Sequence, residues 1–174
     1  MLRKLKIEDA SLMLEWMHDE SVVRDLSRDF GSMKIENCEA FIKQAVADGE
    51  KPTGEYEDIH FAIVEDGSDE YMGTVSIKNI EWDESRGEFA ITIRKCAMGR
   101  GLSISGMRDI LEYAHNVLNL KTVYWYVSKH NERAIRFYDK NGFKRTDIDE
   151  LGLKQDIIEN VSEMLWYKDE TPEG

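Results

Sequence analysis

Residues 88–103 run Glu-Phe-Ala-Ile-Thr-Ile-Arg-Lys-Cys-Ala-Met-Gly-Arg-Gly-Leu-Ser, an apolar strand pattern that passes through Gly99 and Gly101 into a helical one. A helix entered this way offers its first N–H groups and the positive end of its macrodipole to an anion. Glycine at 99 and 101 lets a pyrophosphate come close to the backbone, and Arg100 between them adds positive charge. Glycine pairs also mark ordinary tight turns, so it is the position between strand and helix that gives this pair meaning. The third glycine and the early βαβ position of a dinucleotide fingerprint are missing, which points to a different phosphate-bearing cofactor. Glu88 begins the strand. A carboxylate entering a buried strand can be tuned to accept a proton, whereas one at a strand edge is simply solvated, and both readings stay open.

These residues need a scaffold, and the periodicity supplies one. A strand over 2–7 leads into a helix carrying Leu12, Met13, Trp16 and Met17, followed by a short helical stretch over 22–26. Cys38, Phe41, Ile42, Ala45 and Val46 share one face of a helix over 34–48, which Gly49 and Pro52 stop. Strands over 59–65 and 71–80 flank the turn Asp66-Gly67-Ser68-Asp69 and form a hairpin. After the strand at 88–94, Met107, Ile110, Leu111, Ala114 and Leu118 line a helix, and residues 122–127 form an apolar strand. Asn131 caps a helix over 132–141 that Gly142 ends, and strand-like runs follow at 143–148 and 157–167. The fold class is α/β (α+β), a mixed sheet with helices packed on its faces.

With 174 residues the chain makes one domain, expected to span 1–168, with a disordered tail at 169–174. No apolar run is long enough for a membrane span and the N-terminus has no signal core, so the chain is expected in the cytoplasm. A net charge of −12 opposes nucleic acid and suits amine-bearing partners, although acidity also serves solubility. Cys38 and Cys96 are read as free thiols, Cys96 as a small buried hydrophobe, and the four scattered histidines as structural; no metal site is implied.

The segment Asn131-Glu-Arg-Ala134-Ile-Arg-Phe-Tyr138-Asp-Lys-Asn-Gly142-Phe143 is similar to the second signature of GNAT N-acetyltransferases, and with the Gly99–Gly101 turn it makes a tandem that resembles that superfamily over most of the chain. The residues around Leu2 to Trp16, with Glu88, look more loosely like the ribosomal-protein N-terminal acetyltransferase branch. One departure is that Cys96 stands where the family's phosphate turn usually carries Arg or Gln; the cofactor contact there is backbone-based, and Arg94 or Arg100 could supply the polarity.

The resemblance implies a mostly antiparallel central sheet of about six to seven strands with helices on both faces, and acetyl-CoA as cosubstrate. The main chain of Ile91, Thr92 and Ile93 would pair with the pantetheine arm. The amides of Met98, Gly99, Arg100, Gly101, Leu102 and Ser103 would receive the pyrophosphate, and Asn131 would contact the cofactor or its helix. The reaction implied is direct attack of a primary amine, on a small molecule or a peptide N-terminus, through a tetrahedral intermediate. Glu88 is then the candidate base and Tyr138 the candidate acid, although by spacing alone Tyr138 would be a packing aromatic. A catalytically silent acyl-CoA-binding module is the alternative. Association into a homodimer is left open.

Overall fold

A computed structural model describes residues 1–26, 28–153 and 161–171. Thirteen elements position the site: β1 (Leu2–Lys4), α1 (Ala10–Met17), α2 (Glu20–Val23), α3 (Ile35–Gly49), β2 (Ile59–Ile63), β3 (Gly73–Glu81), β4 (Arg86–Ile93), α4 (Leu102–Asn116), β5 (Thr122–Ser128), α5 (Glu132–Lys140), β6 (Lys144–Thr146), α6 (Ile148–Leu151) and β7 (Met164–Glu170). The strands form one seven-stranded sheet in the order β1-β2-β3-β4-β5-β7-β6. Every neighbouring pair is antiparallel except β4 and β5, which are joined through α4 and run parallel. The expected fold class is therefore found.

Alternation along the strands sorts side chains onto two faces. On one face Val75, Ile77, Phe89, Val123 and Trp125 pack against Met107, Ile110 and Ala114 of α4 and Tyr138 of α5. On the other, Ala62 and Tyr71 meet Met13 and Trp16 of α1 and Cys38, Ile42 and Ala45 of α3. Further along that second face Tyr124 and Trp166 pack with Ile148 and Leu151 of α6. Two arginines tie the helices to the sheet. Arg3 on β1 reaches the buried Asp9 carboxylate at 2.7 and 2.8 Å, and Arg94, just past β4, donates to both oxygens of Glu15 on α1 at 3.0 and 3.2 Å.

The C-terminal third departs from the sequence expectation. The strand expected at 143–148 is only Lys144–Thr146, because Asp147 accepts the Glu150 amide and starts a helical turn in its place. The last strand begins at Met164, not at 157; residues 157–160 lie outside those described. The tail expected from 169 is strand as far as Glu170, because Asp169 and Glu170 pair with Val123 and Thr122 and Thr171 donates its amide to Lys121. Of that expected tail, residues 172–174 lie outside those described. Among the described residues no helix is long and apolar enough to cross a membrane.

Candidate active site

The site begins as a fault in the sheet. β4 and β5 are in register only at Arg86 with Thr122, Gly87 with Val123 and Glu88 with Tyr124. Beyond that point β4 follows β3 as far as Ile93, while β5 follows β7 as far as Ser128. Each antiparallel ladder keeps its own twist, and the short parallel contact does not hold the two together. A wedge opens between them. Arg94 donates its amide to Met72 O on the β3 side at 2.9 Å. Backbone groups of successive residues point to alternate sides, so those of Ile91 and Ile93 face away from β3 into the wedge. Among the described residues no strand pairs with that edge beyond Glu88.

At the mouth of the wedge, β4 passes through a 3₁₀ turn at Lys95–Ala97 and then the glycine turn into α4. Gly99 and Gly101 both have φ of 76°, the left-handed region, and a Cβ at either would meet nothing within 4 Å. Backbone conformation demands glycine here, and the space beside it stays open. Gly101 is the N-cap of a 15-residue helix and has no side chain to accept the first amides, whereas α5 is capped by Asn131. The amides of Leu102 and Ser103 thus begin a helix without a side-chain cap.

The two nearby arginines are committed elsewhere. Arg94 is buried and held by Glu15, by Glu70 and by the Tyr71 carbonyl. Arg100 turns back to pair with Glu65. Both arginines offered in place of Cys96 are thus paired with carboxylates. Cys96 itself is exposed instead of buried, since the turn carries it out of the strand and away from the core.

Across the wedge, Asn131 Oδ1 accepts the Ala134 amide at 3.1 Å and so fixes the start of α5. Seven residues on, Tyr138 lies 7% exposed among Trp125, Phe137, Phe143 and Tyr167, with ring centroids 5.0 to 6.3 Å away. Its hydroxyl has no hydrogen-bond partner among the described residues. Burial, assisted by Tyr167, raises its phenol well above the ordinary value and keeps it protonated.

Glu88 is 8% exposed and lies on the opposite face from Tyr138. Its carboxylate is 3.5 Å from Lys78 Nζ and 3.5 Å from Asn79 Nδ2. The same charge helps raise the phenols of Tyr124 and Tyr126, for which burial is the larger cause. Solvated-edge and buried-strand readings were both open from sequence, and the carboxylate is buried beside a lysine.

Residues 1–144 match the family described as the acetyltransferase (GNAT) domain. The chain belongs to the GNAT acetyltransferase family. It is accordingly an acyltransferase, an acetyl-CoA-dependent N-acetyltransferase. Spermidine N(1)-acetyltransferase of Escherichia coli (strain K12) is 31% identical over 142 residues, covering 82% of this chain and 71% of that protein. The uncharacterized N-acetyltransferase p20 of Bacillus licheniformis is 21% identical over 152 residues, covering 83% and 78%. A crystal structure of the Vibrio cholerae spermidine N-acetyltransferase in complex with CoA and spermine has a TM-score of 0.72 to this chain. It is 19% identical, over 97% of this chain and 92% of that one, and shares the fold. These similarities establish the GNAT family without singling out the ribosomal-protein N-terminal branch.

In this GNAT chain the open backbone edge of β4 and the glycine turn fit an elongated, phosphate-bearing cosubstrate. Sequence reasoning missed two groups beside these positions. Lys78 is adjacent to Glu88 only through cross-strand register, and Arg133 Nη2 lies 2.8 Å from Met98 Sδ although the residues are 35 apart in sequence. No local pattern signals either contact.

Proposed function

We propose that this GNAT acetyltransferase acetylates a primary amine of a small polycation of the polyamine type, with the wedge between β4 and β5 as the reaction site. The observation that carries the reading is that wedge, bordered by the unpaired backbone of Ile91 and Ile93, with Glu88 on one face of the sheet and Tyr138 on the other. Support for the acceptor class comes from the Escherichia coli relative named for spermidine and from the net charge of −12, which draws cations.

The acetyl thioester of acetyl-CoA supplies the activated acyl group. The backbone of Ile91, Thr92 and Ile93 lies along the pantetheine arm. The amides of Met98 to Ser103 receive the pyrophosphate. Asn131 keeps α5 in place by capping it. Glu88 takes the proton from the acceptor ammonium, directly or through water, with Lys78 Nζ 3.5 Å from its carboxylate. The neutral amine forms the C–N bond, the C–S bond breaks as the tetrahedral intermediate collapses, and Tyr138 passes its proton to the departing thiolate while recovering one from the newly acylated nitrogen. Acid and base on opposite faces suit an amine that arrives from one side while the thiolate leaves on the other.

The test is release of CoA thiol from acetyl-CoA with a panel of polyamines, amino sugars, aminoglycosides and peptide N-termini. Polyamines are expected to give the highest kcat/KM. Preference for peptide N-termini would overturn the acceptor, and thiol release with none of the panel, despite CoA binding, would make the chain a silent acyl-CoA-binding module.

A further inference from the structure

Lys78 ends the regular part of β3. Its register partner is Glu88, after which pairing skips to Glu81 with Arg86, and Asn79 takes φ of 50°. A bulge of this kind re-aims the side chains beside it. Here it accompanies a primary amine placed at the candidate base, with Lys78 Nζ 3.5 Å from Glu88 Oε2. Glu88 is also the last residue of β4 to pair with β5, so this amine stands at the head of the wedge. The contact is loose. Arg3 and Arg94 each grip a carboxylate through two hydrogen bonds of 2.7 to 3.2 Å, whereas an ammonium at 3.5 Å lies beyond ordinary hydrogen-bond length. The Lys78 side chain is 37% exposed and that of Glu88 only 10%, so the ammonium approaches a buried carboxylate from the solvent side on a flexible stem.

We propose that Lys78 is an internal acceptor: with acetyl-CoA bound and no other amine at Glu88, the enzyme acetylates its own Lys78 Nζ. The proposal rests on the reading of the wedge as the reaction site with Glu88 as base. The lysine ammonium occupies the place at Glu88 that a cationic acceptor takes, and its covalent link to β3 keeps it there at high effective concentration. Lys78 passes a proton to Glu88, and the neutral nitrogen forms the C–N bond to the thioester carbon. The C–S bond breaks as the tetrahedral intermediate collapses. The thiolate leaves with the proton of Tyr138, which recovers one from the newly acylated nitrogen, and Glu88 releases its proton to water. The products are acetylated Lys78 and the CoA thiol.

The experiment incubates the full chain, dilute and concentrated, with saturating acetyl-CoA and no added amine. Acetylation of Lys78 is followed by peptide mass spectrometry, with Lys43, exposed on α3, as the reference for uncatalysed reaction. Lys78 should react at least roughly a hundredfold faster than Lys43, a modest share of what an oriented intramolecular attack can gain. Its first-order rate should be the same at both protein concentrations. Glu88→Gln and Tyr138→Phe, each with the wild-type circular dichroism spectrum, should slow Lys78 by roughly 10²-fold or more and leave Lys43 unchanged. Lys78→Arg keeps the positive charge and should lose the thiol release seen without added amine. Equal rates at Lys78 and Lys43, or a Lys78 rate that falls on dilution, overturns the proposal. The amine panel separates that failure from failure of the reaction site. Panel turnover that depends on Glu88 while Lys78 stays unmodified removes only self-acetylation; turnover and Lys78 acetylation both indifferent to Glu88→Gln remove the base and the proposal together.

Discussion

Glu88 and Tyr138 stand on opposite faces of one sheet, and β4 and β5 part just beyond Glu88. Phe89, the next residue of β4, shares a core with Trp125 and Tyr138, whereas Glu88 shares its face with Tyr124. Strand alternation enforces this separation.

Deleting only the hydroxyl in Tyr138→Phe should leave the fold intact, because the ring makes the packing contacts and the hydroxyl bonds to no described residue. The turnover number should fall by roughly 10²- to 10⁴-fold, the usual cost of losing a general acid, with CoA affinity unchanged. Since burial holds this phenol protonated, the wild-type rate should not decline through Tyr138 ionisation up to about pH 10, the ordinary tyrosine value. Stopped-assay kcat across pH 6 to about 10 checks both points; a wild-type kcat in Tyr138→Phe would leave the residue as packing alone.

Glu88→Gln keeps the shape and the neighbouring Asn79 but removes the acceptor for a proton. Its kcat/KM should drop by roughly 10²- to 10⁴-fold at neutral pH and recover in part at alkaline pH, where the amine deprotonates unaided. A pH profile parallel to wild type would return Glu88 to a structural role.

Gly101→Val forces a β-branched residue into φ of 76°. The strain should cost about 1–2 kcal/mol in chemical denaturation, and the added side chain should fill the space beside the turn, weakening CoA binding. A variant with the wild-type denaturation midpoint would contradict the backbone argument.

His115 presents Nδ1 to the Leu120 carbonyl at 2.7 Å and Nε2 to Asp169 at 2.8 Å, a pair of acceptors that only the protonated ring can satisfy on both sides. The Asp169 bond is the larger cause of its raised pKa. A raised folded value means that the stabilisation is fully present below the unfolded value of about 6.5 and is lost as pH climbs through the folded value. Urea midpoints measured from pH 5.5 to about 9 should fall for wild type on the alkaline side, and a His115→Gln variant should show a shallower fall. Identical slopes in the two proteins would exclude His115 as the source.

Much of the site was local and therefore legible. Glycine at 99 and 101 follows from a turn that requires positive φ, and the cap at Asn131 is a contact three residues long. Helix periodicity around Met107, Ile110 and Ala114 and the apolar run through Val123 and Trp125 reported their own burial. The last strands were harder, because Asp147 diverts the chain after only three residues of β6 and β7 then inserts between β5 and β6.

The sequence by itself determined the family signatures, the glycine turn, the capped helix bearing Tyr138 and the strand bearing Glu88, since each depends on neighbours within a few positions. Tertiary structure alone decided the rest. Whether β4 and β5 stay together or part depends on competition between two ladders built from distant strands. Whether Arg94 or Arg100 remains available to an anion depends on carboxylates at Glu15, Glu70 and Glu65 that approach only when the chain is folded. Long side chains reach partners across space, and charge pairing among them is not written in spacing along the chain.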